Sequence, residues 1–564
     1  MIYLVAAIAG LAGILFGFDE GVVAGALLHL RREFQITPAA EGLMTSAVPL
    51  GALLGAIVAG YAAERFGRRA SLLVAALLFV AGAIGSGTFA ALWVLTASRL
   101  VLGFAVGVAA LVAPLYISEC APASLRGRLV SVYQLSVTVG ILFAYLVNYG
   151  FGDDWRGMFL VGAAPGVLLL IGMLPLSDTP RWLSERRGAD AARAALARLY
   201  GLAPHAPEVD RELATIEASH SHINERAAWR DLLSRQTRPA LVVGVGLFLL
   251  QQFSGINAVI YYAPRVFEES GFATHSTQIL ATVGIGVVNV AMTVVGMALI
   301  DRIGRRPLLY IGFAGAAASL ALIALSAWLD AHGMAFITVA GLVIYIGAFA
   351  ASLGPLPYVL MSEVFPRHVR ALGMSAATLA NWGLNFVVVF SFPILVSEFG
   401  LGGVFAFYAL ICVGGLFFTH RYVPETNGVP LEAIEAHLET GAPFRELHAP
   451  APTFDAAAIE LSRTLPRDQA EALVNGLIGF SPYRSDLQPM ARRVASLAYE
   501  NHQVRIALHA IWVRSDYQKT RRVRRGDLGA QAKLISMFLE HVRYASPAFL
   551  ASVGEGGSVT GDRS

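Results

Sequence analysis

Long apolar blocks alternate with short polar segments along most of the sequence. A helix needs about 20 mostly apolar residues to cross the roughly 30 Å hydrocarbon core of a bilayer. The blocks therefore predict twelve membrane-spanning helices, in two groups of six on either side of a polar stretch at 177–238. They lie near 3–29, 43–63, 71–90, 93–117, 130–150 and 157–176, and near 239–263, 278–300, 307–328, 335–361, 373–398 and 402–422.

The first block is predicted to stay in the protein rather than to be cleaved as a signal peptide. A signal peptide begins with positive charges and has a short apolar core. Here Ile-Tyr-Leu-Val follows Met1 directly, and the long block contains Asp19 and Glu20.

Composition excludes a soluble globular protein for most of the chain. Hydrophobic residues make up 56% of the 564 residues and charged residues only 14%, whereas soluble chains carry about 25% charged residues. Two distant cysteines, Cys120 and Cys412, exclude a disulfide scaffold. The net charge of +3 gives no indication of nucleic-acid binding. The sequence shows no catalytic constellation, phosphate loop or zinc-ligand spacing, so we expect no enzyme activity, no cofactor and no metal.

Arginine clusters predict the orientation, because loops rich in Lys and Arg stay on the cytoplasmic side. They follow the second, fourth, eighth and tenth predicted spans, which all end on one side. That side then holds both termini, as an even number of spans in a cell membrane requires. The arginines are Arg65, Arg68, Arg69, Arg126, Arg128, Arg302, Arg305, Arg306, Arg367 and Arg370.

The two groups of six spans contain matching loops. Ser118-Glu119 after the fourth span recurs as Ser362-Glu363 after the tenth, 244 residues later, and the string at 64–69 resembles that at 301–306. Six-span halves of the same orientation are typical of alternating-access carriers, which bind substrate between the halves. A duplicated channel or structural protein is the alternative. The predicted units are 1–176, a cytoplasmic linker at 177–238, 239–425, and an added segment at 440–564.

Nine strings carry a resemblance to the sugar porter branch of the major facilitator superfamily. This resemblance covers residues 1 to about 430 and implies an all-α membrane protein of twelve helices in two six-helix repeats. The strings are GFDEGVVAGAL (17–27), ERFGRR (64–69), PLYISECAPASLRGRLVSVYQ (114–134), SDTPRWL (177–183), QQFSGINAVIYY (251–262), DRIGRR (301–306), GPLPYVLMSEVFP (354–366), NWGLN (381–385) and PETNG (424–428).

Two charges inside predicted spans indicate a dedicated role, since a central charge costs roughly 2.5–3.5 kcal/mol on insertion scales. Asp19 lies in the first span and Arg99 early in the fourth, and the equivalent position in the second half is Val343. We predict that Asp19 and Arg99 pair, and that protonation of Asp19 frees the two helices. The resemblance implies proton coupling at these positions, while a static ion pair is the alternative. Glu20 receives no role.

Amide side chains suit a neutral polyol, because one amide both donates and accepts. By resemblance, six amides fall on sugar-contacting positions, and aromatic rings accompany them. Gly255 permits local unwinding of the seventh span, as in other carrier sites. Buried amides could instead join helices. The predicted substrate-binding residues are Gln134, Gln251, Gln252, Asn257, Asn289, Asn381, Tyr358 and Trp382.

Two further groups are predicted to gate access. A lid at Tyr261 and Tyr262 is one, by analogy, although these rings could equally serve packing. The other is a cytoplasmic latch of carboxylate–guanidinium pairs that form in one state only; its arginines could instead simply follow the positive-inside bias. The latch residues are Glu119, Glu363, Arg68, Arg126, Arg305 and Arg370.

The sequence thus predicts a monomeric symporter of the cell membrane that moves a monosaccharide with protons. The segment 440–564 is predicted to form a small helical cytoplasmic domain, and its basic run at 519–525 could contact anionic lipid or form a solvated face. An uncoupled facilitator, or a sensor that signals through this segment, is the alternative.

Overall fold

A computed structural model describes residues 1–89, 91–122, 125–220, 229–272, 274–329, 334–366, 368–429, 434–435, 437–438 and 443–447, except for the side chains of 126–128, 218–220 and 446. Nearly all of these residues are helical, and none lies in a β-strand. The predicted helical domain at 440–564 falls almost entirely outside the described residues.

The helices occur in two membrane groups joined by a short helical linker. The first group contains α1 (Ile2–Phe34), α2 (Pro38–Phe66), α3 (Arg68–Thr88), α4 (Leu92–Cys120), α5 (Arg126–Phe151), α6 (Trp155–Val161) and α7 (Ala163–Met173). The linker contains α8 (Pro180–Arg187), α9 (Ala189–Tyr200), α10 (Pro207–His220) and α11 (Trp229–Leu232). The second group contains α12 (Arg238–Phe253), α13 (Ile256–Glu269), α14 (His275–Ile303), α15 (Arg305–Trp328), α16 (Met334–Ala348), α17 (Leu356–Val364) and α18 (Arg370–Arg421).

The described helices supply the twelve predicted membrane crossings. Eleven helical stretches are long and apolar enough to span a bilayer. The last of them, α18, has 52 residues and turns at Gly400, whose φ of 68° is not helical. It therefore contains two spans, 370–399 and 401–421. In the linker, α8 was not foreseen, and its Trp182 and Leu183 pack with α9 and α10 in a small apolar cluster.

The helix bundle has two opposite faces. The terminal face is where α1 begins at Ile2 and α18 ends at Arg421. The loop face is the opposite one, where α1 ends at Phe34 and α2 begins at Pro38.

The terminal face shows the sequence duplication as repeated geometry. In the first half, Arg68 Nη2 donates to Glu119 Oε1 over 2.8 Å, and Thr179 Oγ1 donates to Glu119 Oε2 over 2.6 Å. In the second half, Arg305 Nη2 donates to Glu363 Oε1 over 2.9 Å, and Thr426 donates to the same carboxylate.

Each cluster also fixes the start of a helix. Two carboxylates, Asp178 and Glu425, each accept backbone N–H groups from the first turn of a span, at 3.0 and 3.2 Å in α3 and at 3.1 and 3.0 Å in α15. Acidic groups stabilise helix N-termini in this position. The repeated loops are therefore structural units of their own halves.

The predicted latch residues accordingly pair within each half in this structure. Arg68 binds Glu119, and Arg305 binds Glu363, so neither pair joins the two halves. Arg370 Nε donates to the Phe365 carbonyl over 3.1 Å. The side chain of Arg126 lies outside the described residues.

Glycines bring α1 and α5 into backbone contact. Gly13, Gly17 and Gly21 are spaced by four residues and face carbonyls of α5, so that a Cβ at Gly17 would lie 1.9 Å from the Val137 oxygen. Small residues at this spacing let membrane helices approach closely. The contact holds α1, which carries Asp19, firmly against its neighbour.

Gly17→Val is expected to lower the thermal unfolding temperature of the purified protein and its yield. The added side chain must push against backbone, and overpacking of this kind costs about 1–3 kcal/mol. The matched control is Gly60→Val on α2, where a Cβ meets nothing within 4 Å. Equal unfolding temperatures for the two variants would contradict the close contact.

Candidate functional site

Asp19 and Arg99 form an ion pair inside the first half, as the sequence predicted. Arg99 Nη1 and Nη2 donate to the two carboxylate oxygens of Asp19 over 3.3 and 3.4 Å. Both side chains are essentially inaccessible, at 0% and 1% exposure. The guanidinium carbon also lies 5.5 Å from the centre of the Phe159 ring. A desolvated charge depends on its partner, so the pair couples α1 to α4.

Glu20 is buried beside this pair at 3% exposure. It makes no ion pair or hydrogen bond with any residue that the structure describes. Two buried phenols of neighbouring helices, Tyr133 of α5 and Tyr261 of α13, also have hydroxyls without a partner among the described residues. Sequence reasoning gave this carboxyl group no role, because its direction on the helix was not known.

The seventh span is broken where Gly255 was expected to unwind it. Helix α12 ends at Phe253 and α13 begins at Ile256, with Gly255 at a φ of 88°. A side chain there would strike the ring of Tyr408 at 2.2 Å. The amides on either side of the break, Gln251 and Gln252 before it and Asn257 after it, make their hydrogen bonds within the second half.

Gln251 bridges this break to a second one. Its Nε2 donates to the carbonyl oxygens of Leu353 over 2.7 Å and of Gly354 over 3.2 Å. Those carbonyls belong to the π-helical turn Phe349–Leu353 and the following residue, between α16 and α17. Carbonyls that lose their helical partners in a membrane need replacement donors. The amide nitrogen of Gln251 therefore serves the fold in this structure.

The other amides form a chain across α12, α13 and α18. Asn257 Nδ2 donates to Gln252 Oε1 over 2.7 Å, and Gln252 Nε2 donates to Asn381 Oδ1 over 2.6 Å. Asn381 Nδ2 donates to the Tyr358 hydroxyl over 3.2 Å. The Tyr358 ring remains 40% exposed, so the chain ends at accessible space.

Three further predicted binding residues, like Gln251, make no hydrogen bond with this chain. Trp382 is buried and packs edge-on against Phe16 of the first half, with ring centres 5.2 Å apart. Asn289 is 8% exposed on α14, and its side chain bonds to no described residue. Gln134 is half-buried on α5. The structure thus brings Gln252, Asn257, Asn381 and Tyr358 together.

The two tyrosines predicted as a lid are fully buried. The Tyr262 hydroxyl donates to the Val389 carbonyl over 3.1 Å, whereas the Tyr261 hydroxyl has no partner among the described residues. A tyrosine that the sequence analysis missed, Tyr145 of α5, donates to the Ile260 carbonyl of α13 over 3.0 Å. This bond joins the two halves beside the predicted lid.

Charged residues also join the halves at the loop face. Arg265 of α13 pairs with Glu41 of α2 at 2.8 Å and with Glu269 at 3.0 Å. Arg31 of α1 lies 3.5 Å from Glu41 and 3.8 Å from Glu268. Sequence reasoning missed this network, because charged residues are common near the ends of membrane spans and do not by themselves indicate a contact. Its only signal was Arg265, two residues after the seventh predicted span.

Arg265→Ala is expected to open the loop face, because it leaves buried Glu41 with only the more distant Arg31. The measurement uses Asn289→Cys in a chain whose Cys120 and Cys412 are replaced by Ser. A membrane-impermeant maleimide added at the loop face should react several times faster in the Arg265 variant. The control is Arg156→Ala, whose partner Glu33, 3.2 Å away, lies in the same half. Equal rates in both variants would contradict the closure.

The site combines an isolated ion pair with a neutral amide and phenol surface between two helical halves. Such a site can bind an uncharged, hydroxyl-rich solute. The ion pair can also take up or release one proton. This arrangement is typical of membrane carriers in which two repeats move about a central site.

Comparison with known sequences agrees with this class. The sequence profile of the family described as "Sugar (and other) transporter" matches residues 5–438. The chain belongs to this family of sugar transporters, within the major facilitator superfamily. The match ends where the added segment 440–564 begins.

Several relatives of the chain are named for the sugars that they transport. The D-xylose transporter of Levilactobacillus brevis is 39% identical over 444 residues, which cover 78% of this chain and 96% of the relative. The galactose-proton symporter of Escherichia coli strain K12 is 39% identical over 455 residues, covering 80% and 97%. The arabinose-proton symporter of the same strain is 35% identical over 447 residues, covering 78% and 94%.

Solved structures support the fold. The inward open conformation of the xylose transporter XylE from Escherichia coli has a TM-score of 0.68 at 30% identity, covering 78% of this chain and all of XylE. The proton:xylose symporter XylE bound to 6-bromo-6-deoxy-D-glucose has a TM-score of 0.64 at 31% identity, covering 78% and 99%.

Proposed function

We propose that this protein is a symporter that moves a monosaccharide together with a proton by alternating access. The observation that carries the proposal is the buried Asp19–Arg99 pair, with oxygens 3.3 and 3.4 Å from the guanidinium nitrogens. It stands apart from the amide chain of Gln252, Asn257 and Asn381. Separate groups would thus handle the ion and the solute.

The amide chain supports a sugar as the solute. Each amide offers a donor and an acceptor, and Tyr358 adds a hydroxyl at the accessible end. A pyranose or furanose presents hydroxyls at its edge and C–H groups on its face, and the rings of Phe16 and Trp382 would pack against that face. Relatives named for xylose, galactose and arabinose agree with a hexose, pentose or polyol.

Coupling follows from the energetics of the pair. When Asp19 is ionised, Arg99 holds it, and α1 and α4 stay together. When Asp19 takes up a proton, Arg99 loses its counter-charge, and the arrangement of α1 relative to α4 can change. A conformational equilibrium shifts only as far as the ligand distinguishes the two states. Here the proton distinguishes them through one ion pair.

The cross-half contacts support an inward-facing state with the loop face closed. The Glu41–Arg265 pair and the Tyr145–Ile260 bond connect the halves toward that face. We propose that the terminal face lies in the cytoplasm, with α8–α11 and the added segment, and that the protein works as a monomer in the cell membrane. The latch at Glu119 and Glu363 stays a prediction for the opposite state.

Asp19→Asn is expected to abolish accumulation of sugar against its gradient while sugar exchange continues. The amide cannot ionise, so the variant mimics permanently protonated Asp19. The measurement uses proteoliposomes, a panel of hexoses, pentoses and polyols, and an imposed pH gradient. Exchange of labelled for unlabelled sugar is recorded without a gradient.

The matched control is Asp190→Asn, a fully exposed carboxylate that pairs with Arg193 on α9. It should accumulate sugar like the unaltered protein. Accumulation that survives in Asp19→Asn would make the Asp19–Arg99 pair static. Sugar uptake by the unaltered protein that does not change when a pH gradient is imposed would indicate a facilitator.

A further inference from the structure

Two histidines and an aspartate meet at the loop face, where the two halves touch. His29 Nε2 of α1 lies 3.1 Å from His275 Nε2, the first residue of α14. Asp153, in the turn after α5, places Oδ1 3.8 Å from His29 Nδ1. One ligand atom from each residue lies within 4.8 Å of the others. The cluster therefore combines two residues of the first half with one of the second.

The chemistry of this cluster favours a transition-metal ion. Zn²⁺ binds imidazole nitrogen at about 2.0–2.1 Å in tetrahedral geometry, which places two such nitrogens roughly 3.3 Å apart. The observed 3.1 Å is close to that separation. Two neutral imidazoles that face each other through Nε2 share one N–H proton between them, and a metal ion can take its place once that proton moves to the Nδ1 of its own ring.

Groups next to the two histidines also affect the binding of a cation. The Gly152 carbonyl lies next to both rings, and Arg32 acts on both with its positive charge. The positive charge opposes protonated imidazoles as well as metal, while the carboxylate of Asp153 offsets it. Asp153 is 92% exposed, so it can turn toward a bound ion as a ligand, or hold His29 through Nδ1 as orienting carboxylates do.

We propose that His29, His275 and Asp153 form a binding site for a divalent transition-metal ion such as Zn²⁺, which clamps the loop face shut. Water would complete the coordination. Because the ligands come from both halves, the complete site exists only while the loop face is closed. Metal binding thus stabilises this state and slows transport from the loop face. Imidazole ligands select Zn²⁺ over Mg²⁺ and Ca²⁺, which prefer oxygen.

The first test measures metal binding directly. Full-length protein, purified without a polyhistidine tag, is titrated with Zn²⁺ and separated from free metal. One ion that resists an excess of Mg²⁺ should bind per chain, with a rise in the unfolding temperature. Both effects should be lost in His29→Gln and in His275→Gln, and Asp153→Asn should weaken binding by about tenfold.

The control is His420→Gln, an imidazole that contacts Tyr310 at the terminal face. It should bind Zn²⁺ as the unaltered protein does. Binding that persists in His275→Gln would overturn the proposal, because the ion would then be held within one half. The proposal would also be overturned if the cluster bound no Zn²⁺ and all of the bound metal lay at other sites.

The second test measures closure. Zn²⁺ added at the loop face should slow sugar uptake and maleimide labelling of Asn289→Cys severalfold, and a chelator should restore both. His275→Gln should show neither effect. Inhibition that remains in this variant would overturn the clamp. The binding experiment does not depend on transport, so it separates this proposal from the transport proposal above.

A second inference concerns Glu20, and it rests on the proposed function. Its carboxyl group is 3% exposed and bonds to no described residue. Helices α5 and α13 both pack against α1, and their buried Tyr133 and Tyr261 have hydroxyls without a described partner. A buried acceptor and donors without partners, drawn from both halves, leave hydrogen-bonding capacity that a solute can use.

We infer that Glu20 accepts hydrogen bonds from hydroxyls of the transported sugar and contributes to specificity. Glu20→Gln should raise KM about tenfold for the sugar that the unaltered protein takes up fastest, because the amide presents an N–H donor where the carboxyl group presents an acceptor oxygen. Accumulation driven by the pH gradient should continue, and Glu20→Asp should recover part of the affinity.

Asp19→Asn supplies the comparison, because its expected defect is lost accumulation with exchange retained. An unchanged KM in Glu20→Gln would overturn the inference. Lost accumulation with exchange retained in that variant would also overturn it, by assigning Glu20 to coupling. If the unaltered protein ignores the pH gradient, the coupling proposal fails, while the KM comparison still tests Glu20.

Discussion

The structure depends on the requirement that polar groups inside a membrane find partners within the protein. Asp19 and Arg99 meet this requirement with each other, at 1% and 0% exposure. Neither could remain ionised alone in such surroundings without a large cost. Their mutual dependence links α1 to α4, and the glycine contact between α1 and α5 limits how α1 can move.

The same requirement explains the broken helices. Gly255 interrupts the seventh span, and the π-helical turn Phe349–Leu353 interrupts the tenth. The carbonyls of Leu353 and Gly354 are satisfied by Gln251 across the gap. The breaks therefore support each other, and they position Gln252 and Asn257 beside Asn381. An uncharged polar surface therefore arises where regular helical hydrogen bonding is interrupted.

Much of this arrangement could be predicted from the sequence. Span length and apolar content define the twelve crossings. The charges at Asp19 and Arg99 can be recognised because a charged residue inside an apolar span carries a free-energy cost. The direction of each side chain could not be predicted. Gln251 and Gln252 are adjacent and chemically identical, yet one binds backbone and the other joins the amide chain. Helix packing decides between them.

Contacts between segments that are distant in the chain also could not be predicted from the sequence. Arg68 and Glu119 were expected to belong to a latch that forms in one state only; the structure pairs them within the first half, where Thr179 completes the cluster. Residues at the loop face were overlooked, because His29 and His275 are 246 positions apart and neither is unusual alone. Only the fold brings them to one point.

The duplicated bundle has lost its symmetry in one respect. Both halves retain the arginine, carboxylate and threonine of the terminal face, but Arg99 faces Asp19 in one half and the position equivalent to Arg99 in the other is Val343. The amides accumulate chiefly in the second copy. We expect this asymmetry to let sugar preference and proton coupling evolve separately. Changes of sugar preference would then arise in one copy without altering the proton-to-sugar stoichiometry set by the other.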